Sequence, residues 1–267
     1  MNKDLFRQIA VIAVFAATLV VNAMATSGAL GGQPTADISN AYPIYFVPAN
    51  LTFSVWGVIY LGLAAFVIYQ ALPAQRTDPY LRRIGWPFVW SGLANAGWLV
   101  LFQHEQFVAS VPVMVALLGL LIVIYRRLDI GRADVPRGVR WFAQVPFSVY
   151  LAWITIATIA NAAQALYASG YQSLLGLGGA AWAALMLVVG TGIISAVVYQ
   201  GRGNIAYALT TIWAILGIVI KQYETALVAG TAAAMIAVIV AILVFSLWRN
   251  RRPAPGTRPG DRALAGG

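Results

Sequence analysis

Long apolar runs separated by short polar segments dominate the chain. A helix needs roughly 20 apolar residues to cross about 30 Å of hydrocarbon, and eight runs approach or exceed that length. They lack the strict alternation of apolar and polar residues that the wall of a membrane β-barrel requires. We therefore predict an all-α polytopic membrane helix bundle with about eight transmembrane helices. The predicted spans are Ile9–Met24, Ala49–Leu72, Ile84–Phe102, Val108–Tyr125, Trp141–Ala165, Leu174–Gln200, Ile205–Lys221 and Ala226–Trp248.

Composition supports the membrane assignment. The 267 residues are 61% hydrophobic and 9% charged, whereas soluble domains carry about 25% charged residues. This excludes a water-soluble globular protein. The chain contains no cysteine, so neither disulfides nor thiolate metal sites are available.

The basic residues follow the predicted topology. The net charge is +9, and sixteen of the 17 Lys and Arg residues lie before the first span, after the last span or in alternate loops. Lys221 is the one basic residue on the opposite side. This positive-inside pattern predicts an integral protein of a bacterial plasma membrane with both termini in the cytoplasm. Because topology accounts for the charge, we expect no nucleic-acid partner.

The first span has a second interpretation. Its basic start, its apolar run and the sequence Ala23-Met24-Ala25 also fit a cleavable signal peptide. The apolar run is somewhat longer than the usual core of a signal peptide, so we expect the first helix to be retained. Cleavage would leave the following loop on the same side of the membrane, so the charge pattern does not separate the two interpretations.

Two segments outside the spans have distinctive compositions. The loop 26–47 is the longest, is rich in Gly, Ser and Pro, and has Asp37 as its only charge. Loops longer than about 12–15 residues often act as lids or binding segments, and a passive linker is the alternative. The tail 251–267 has no apolar periodicity and is expected to be disordered.

Ionisable side chains are missing from the predicted membrane interior. Every Asp, Glu, Lys and Arg lies at or beyond a span end, whereas pumps and ion-coupled transporters usually bury such groups. The single histidine, His104, stands beside Glu105 in a predicted turn, which is too sparse for a metal site. We find no nucleophile, metal site or acid/base constellation, so no enzymatic activity is expected.

Three predicted helices carry neutral polar and aromatic side chains on one face. Those on the fifth span fall within an arc of about 80°. An unpaired amide in lipid is costly, so these groups either tie helices together or line a shared cavity. The repetition on three helices favours an aromatic, uncharged cavity for a flat, largely apolar ligand. The residues on these faces are Phe53, Trp56, Tyr60 and Ala64 on the second span, Asn95 and Trp98 on the third, and Tyr150, Trp153, Ala157, Asn161 and Gln164 on the fifth.

These segments resemble motifs of the TspO/translocator-protein family, also called tryptophan-rich sensory proteins (TspO/MBR). The family's second helix follows a Pro-Pro turn and runs through V-W-x-x-[LI]-Y, and Pro48 with VWGVIY is similar here. The family's third helix carries L-N-x-x-W-x-x-L-F, matched by ANAGWLVLF. Its fifth carries P-Y-L-x-W-x-x-F-A-x-x-L-N, matched in part by residues 150–161. The chain departs from these motifs at Val47 and Val149, where the family has Pro, and in the position of Phe53.

The resemblance covers about residues 1–165 and implies a five-helix membrane domain whose pocket is closed by the loop between the first two helices. Family ligands are porphyrins and other tetrapyrroles, and in some members sterols or synthetic drugs. Pro48 is expected in the first turn of the second helix, where its missing N–H costs nothing. Residues 166–250 would be a three-helix membrane extension. By motif match the pocket residues are Trp56, Asn95, Trp98, Trp153, Ala157 and Asn161, and Pro48, Phe53, Tyr60 and Tyr150 complete the candidate set.

The sequence therefore predicts a ligand-binding or sensory membrane protein of TspO type that holds a tetrapyrrole or another flat apolar molecule. An uncoupled transporter or exchanger of small apolar compounds is the alternative. No cofactor is required, although a bound tetrapyrrole is compatible with the pocket. The expected partners are the lipid bilayer and a small apolar ligand, and the sequence leaves a homodimer open.

Overall fold

Eight long helices dominate the computed structural model, which describes residues 3–171, 173 and 176–251. No strand occurs among these residues, and the predicted all-α helix bundle is confirmed. Apart from Arg251, which ends the last helix, the tail predicted to be disordered (251–267) lies outside the described residues. The long helices are α1 (Lys3–Thr26), α2 (Val55–Ala71), α3 (Pro79–Gln103), α4 (Phe107–Arg127), α5 (Val145–Ala168), α6 (Gly179–Gln200), α7 (Ile205–Lys221) and α8 (Ala226–Arg251).

Six segments of the described chain are long and apolar enough to cross a membrane. The two remaining long helices are α7 and α3. α7 is a shorter apolar helix of 17 residues, about 25 Å long at 1.5 Å per residue. α3 has 25 residues, and its polar side chains Ser91, Asn95 and Gln103 are buried against other helices. The six segments are Lys3–Thr26, Asn50–Ala71, Phe107–Arg127, Arg137–Ala168, Gly179–Gln200 and Ala226–Asn250.

Local sequence signals explain how several helices begin and bend. The Asp78 carboxylate caps α3 by accepting hydrogen bonds from two backbone N–H groups of the first turn, at 2.9 and 3.0 Å. Pro79 follows in that turn, where its missing N–H costs nothing. A π turn over Arg140–Gln144 precedes α5, close to Pro146, whose ring prevents regular α-helical hydrogen bonding.

Several helices begin away from the predicted span starts, α1 at Lys3 and α3 at Pro79 among them, and two of these starts bear on named predictions. Residues Asn50–Ser54 form a 3₁₀ turn, and α2 starts only at Val55. Pro48 comes before Ala49, which caps that turn, so the expectation that Pro48 lies within the first helical turn is wrong. α6 begins at Gly179, and the predicted start at Leu174 lies outside the described residues.

Side-chain contacts define the two ends of the bundle. Arg82 of α3 pairs with Asp4 of α1 at what we call the arginine-rich end. Gln103 Nε2, at the other end of α3, donates a hydrogen bond of 2.7 Å to the carbonyl of Ala25 in α1. We call this second end the lid end, because it carries the connection 27–49 between α1 and α2. α1 and α3 therefore run the full height of the bundle side by side.

A buried amide network joins α1, α3 and α5. The side chain of Asn95 is 0% exposed. Its Oδ1 accepts a hydrogen bond of 2.9 Å from Asn22 Nδ2, and its Nδ2 donates one of 3.1 Å to the Tyr150 hydroxyl. A bilayer core supplies no water to replace these partners. The network therefore fixes the three helices relative to one another.

We predict that Asn95→Leu lowers the thermal stability of the full-length protein in detergent. The change removes two hydrogen bonds between helices, each contributing about 0.6 kcal/mol in a membrane protein. It also leaves Asn22 and Tyr150 with unmatched polar groups, which raises the expected loss to about 1–3 kcal/mol. The measurement is the loss of helical circular dichroism on heating.

Asn250→Leu is the matched control, because this amide at the end of α8 is exposed. It donates a hydrogen bond of 2.7 Å to the Arg202 carbonyl, which can bond to water instead, so we expect a smaller loss than for N95L. If N95L and N250L proteins unfold at the temperature of the wild type, the amide network does not hold the helices together.

Candidate functional site

A small cavity at the lid end lies between α2, α3, α5 and the connection 27–49. We call it the aromatic cavity. The structure brings the predicted faces of the three helices together around it. Seven of the ten candidate residues line it, namely Pro48, Phe53, Trp56, Trp98, Trp153, Ala157 and Asn161. The other lining residues are Thr35, Ser39, Phe102, Ile156, Ala160 and Gln164.

The rings of α2 and α5 pack into one aromatic wall. Trp56 and Tyr60 stack with their centroids 5.5 Å apart. Trp153 meets Trp56 edge-on at 6.2 Å and the Phe53 ring at 5.6 Å. Stacked and edge-on pairs are favoured by the ring quadrupoles and contribute about 0.5–1.5 kcal/mol each beyond area burial. The wall is therefore formed without a ligand.

The three remaining candidates lie behind this wall. Tyr60, Asn95 and Tyr150 do not line the cavity. Tyr150 contacts the Trp56 ring edge-on at 6.1 Å, and Asn95 donates a hydrogen bond to the Tyr150 hydroxyl. These residues hold the Trp56 ring in place, so they are positioning residues for the cavity.

Two buried hydrogen-bond donors of residues that line the cavity have no partner in the described part of the chain. Asn161 Oδ1 accepts hydrogen bonds from Trp98 Nε1 at 2.8 Å and from Ser110 Oγ at 3.0 Å. This arrangement leaves Asn161 Nδ2 buried and unbonded, and Trp153 Nε1 is buried and unbonded as well. Leaving a buried donor unsatisfied costs about 1–3 kcal/mol. The wall therefore favours a ligand that carries a hydrogen-bond acceptor.

The connection 27–49, called the lid from here on, covers the cavity. It contains a short helix, Thr35–Asn40. Gln164 Nε2 donates a hydrogen bond of 3.3 Å to the carbonyl of Ile38 in that helix. Further along, the Tyr42 hydroxyl donates one of 2.6 Å to Glu105. That bond raises the pKa of Tyr42, because a deprotonated phenol would face the carboxylate.

The seventh helix packs on the base of the lid. The backbone N–H of Ala49 donates a 3.0 Å hydrogen bond to the Gly217 carbonyl, and Trp213 Nε1 donates one of 3.1 Å to the Thr52 carbonyl. Only glycine permits this approach, since a Cβ at position 217 would lie 2.0 Å from Thr52 Oγ1. A helix from the predicted extension thus supports the base of the lid.

A chain of polar side chains continues this contact across the lid. Lys221, at the end of α7, donates to Asn40 Oδ1. Asn40 Nδ2 donates to Asn50 Oδ1 at 2.5 Å, and Asn50 Nδ2 donates to Asp37 Oδ1 at 3.0 Å. The chain therefore connects α7, the lid helix and the start of the 3₁₀ turn.

Sequence reasoning predicted that this loop acts as a lid, but it identified neither the lid residues that line the cavity nor the contribution of α7. Thr35 and Ser39 carry no periodic signal, because they lie in a short helix inside a loop. Gly217 lies in an apolar run where a packing glycine is unremarkable. Lys221 did carry a signal, as the one basic residue on its side of the predicted topology.

The aromatic cavity is small while the lid is closed. Its volume is about 40 Å³, far smaller than that of a ligand site. A second cavity, of about 250 Å³, lies beyond lid residues 43–46 against α5 and α6. Ligand sites usually measure about 300–1,000 Å³, so a ligand of ordinary size enters only if the lid moves.

The chemistry of the cavity is neutral. Among the described residues, its lining includes no Asp, Glu, His, Lys or Arg. Among residues 3–171, 173 and 176–251, no group of three such potential metal ligands forms. The lining supplies aromatic faces, two free N–H groups and the hydroxyls of Thr35 and Ser39, which suits binding of an uncharged, flat ring system.

Comparison with known proteins identifies the family. A model of a family described as TSPO-like protein matches residues 8–245, and searches of curated proteins and of solved structures return no match. The match continues beyond α1–α5, which carry the motifs, through α6, α7 and most of α8. The division into a domain 1–165 and an extension 166–250 stays a prediction. With its membrane-length apolar helices and this match, the chain is an integral membrane protein that belongs to the TSPO-like protein family.

Proposed function

We propose that this protein binds a tetrapyrrole, or another flat apolar molecule with a hydrogen-bond acceptor, in the aromatic cavity. The observation that carries the proposal is the pair of unpartnered donors, Trp153 Nε1 and Asn161 Nδ2, on a wall of aromatic rings. A flat ring system would stack against Trp56. A carboxylate or carbonyl oxygen on its edge would accept a hydrogen bond from one of the donors.

Entry of such a ligand requires displacement of the lid. The aromatic cavity and the cavity of about 250 Å³ lie on neighbouring strips of α5 and share the lid as a wall. Moving lid residues 43–48 aside would join them, and together they approach the lower limit of about 300 Å³ for ligand sites. In this proposal the protein senses its ligand because the position of the lid depends on whether the cavity is occupied.

We further propose that the arginine-rich end faces the cytoplasm of a bacterial cell and that both termini lie there. Sixteen of the 17 Lys and Arg residues support this orientation, because basic loops are retained on the cytoplasmic side. The lid and the aromatic cavity would then open on the outer face of the plasma membrane.

We predict that a porphyrin titrated into the full-length protein in detergent quenches tryptophan fluorescence saturably. Trp56→Ala should weaken the affinity about tenfold, since a stacked ring contributes about 0.5–1.5 kcal/mol beyond its buried area. Trp153→Phe keeps a ring but removes the N–H. It should weaken the affinity about fivefold, because a hydrogen bond contributes about 1 kcal/mol net.

Trp86→Ala is the control, because Trp86 is 43% exposed and does not line the cavity. Equal affinities for W56A, W153F and W86A would overturn the proposed site. Saturable flux of the same porphyrin into proteoliposomes would identify the protein as a transporter instead of a binder.

We predict that Lys221→Met speeds porphyrin association, measured by stopped-flow quenching. The change removes the polar contact between α7 and Asn40 that holds the lid. A partly exposed contact of this kind contributes up to about 1 kcal/mol, so we expect an increase of about two- to fivefold.

Lys3→Met is the matched control for this variant. Lys3 is the other lysine of the chain and begins α1 at the arginine-rich end. If association is equally fast in K221M, K3M and the wild type, this contact does not limit lid opening.

We predict opposite labelling of two single-cysteine variants in intact cells. Because the chain has no cysteine, a membrane-impermeant maleimide reports only the introduced residue. Ser27→Cys at the lid end should be labelled from outside, and Asp134→Cys at the arginine-rich end only after the membrane is disrupted. The reverse pattern would contradict the proposed orientation.

A further inference from the structure

A third cavity lies at the arginine-rich end, far from the lid. Its volume is about 360 Å³, within the range of about 300–1,000 Å³ typical of ligand sites. It is bounded by the end of α4, the loop that follows, the first half of α5 and the end of α6. It shares no lining residue with the aromatic cavity. We call it the basic cavity.

One side of the basic cavity carries charge. Arg126 and Arg132 line it together with Asp129. In the described part of the chain, the ion pairs with N···O distances of 4.0 Å or less are Arg7–Asp4, Arg82–Asp4 and Arg140–Asp134. Neither arginine of the cavity is therefore neutralised by a contacting carboxylate. With one carboxylate against two guanidinium groups, the lining has an excess of one positive charge.

The other side of the basic cavity is aliphatic. Ile122, Leu151 and Val197 line it. The Ile122 side chain is 41% exposed, and it belongs to an apolar segment long enough to cross a membrane. The aliphatic side thus continues into the lipid-facing surface, while Arg132 lies in the loop beyond the helix end. This is the depth at which headgroups and acyl chains meet.

The back of the cavity is held together without a ligand. Gly131 has φ +76°, and a Cβ at that position would lie 2.1 Å from the Gly201 carbonyl oxygen, so the two loops touch. A Cβ at position 201 would in turn lie 2.6 Å from the Tyr125 hydroxyl. Asn204 Nδ2 donates a hydrogen bond of 2.8 Å to Ser148 Oγ beside this contact. The cavity is therefore formed by the packing of three elements, namely the loop after α4, the connection between α6 and α7, and α5.

We infer that the basic cavity binds an anionic phospholipid of the surrounding leaflet. The phosphate lies between Arg126 and Arg132, whose planar guanidinium groups match phosphate oxygens, and the start of an acyl chain follows the aliphatic side. Basic pockets between transmembrane helices are suited to anionic headgroups. Asp129 in the same lining repels further negative charge, which favours a lipid with a single phosphate. A free phosphate would use the arginines but leave the aliphatic side unfilled.

Native mass spectrometry of the full-length protein in detergent tests this inference. Phosphatidylglycerol is the probe, phosphatidylcholine with the same chains is the neutral comparison, and inorganic phosphate represents a free anion. We expect phosphatidylglycerol to bind about tenfold more tightly than phosphatidylcholine. The double variant Arg126→Gln/Arg132→Gln should lose this preference. Val197→Trp, which fills the aliphatic side, should weaken phosphatidylglycerol binding while leaving the preference for anions intact.

The control is Arg137→Gln/Arg140→Gln, which removes the same charge from the connection between α4 and α5 at positions outside the cavity lining. It also removes the exposed Arg140–Asp134 ion pair. An unchanged preference in R126Q/R132Q, or an equal loss in the control, would overturn the site. Displacement of the lipid by millimolar inorganic phosphate would overturn the lipid as its occupant. Should the double variant not fold, Arg132→Gln alone, which lies outside the helices, should reduce the preference about threefold to fivefold.

Discussion

Amides buried in this bundle must find their partners inside the protein, and this constraint organises the lid-end half of the molecule. Asn95 forms hydrogen bonds with Asn22 on one side and with Tyr150 on the other. Asn161 Oδ1 accepts hydrogen bonds from Trp98 and Ser110. These two junctions set the spacing of α1, α3, α4 and α5, because no water is available in the bilayer to replace a lost partner. The spacing in turn places the aromatic rings of α2 and α5 against each other. Two of the donors left without a partner, Trp153 Nε1 and Asn161 Nδ2, belong to residues that line the cavity, so the same constraint bears on which ligands the cavity favours.

The lid connects this rigid half to the rest of the chain. Its underside lines the cavity through Thr35 and Ser39, and its base is bonded to the backbone of α7 through Gly217. Neither contact is strong alone, and both are confined to the lid end. A cavity of about 40 Å³ lies beside a larger one of about 250 Å³. The volume open to a ligand therefore depends on the position of the lid.

Helical periodicity explains why much of this site could be predicted from the sequence. A rotation of 100° per residue fixes which side chains share a face, so Trp153 and Asn161 could be placed together without knowing their neighbours. Periodicity says nothing about contacts between distant segments. Trp213 bonds to the carbonyl of Thr52 across 161 positions, and no local pattern in either helix predicts that contact. Helix starts were also misplaced, because the apolar pattern does not record the 3₁₀ turn at Asn50–Ser54.

The contact of Gly217 with the base of the lid separates two properties along the chain. The described side chains that touch the aromatic cavity lie between residues 35 and 164, whereas one of the surfaces that hold the lid lies near residue 217. Substitutions near residue 217 alter how readily a ligand is admitted without touching the lining. Substitutions in the first stretch alter what fits and, at Tyr42 or Gln164, also the hold on the lid. The ligand selectivity of the cavity and the rate at which the lid admits a ligand can therefore change independently among related chains. Two proteins with identical cavity linings need not respond to a ligand at the same rate.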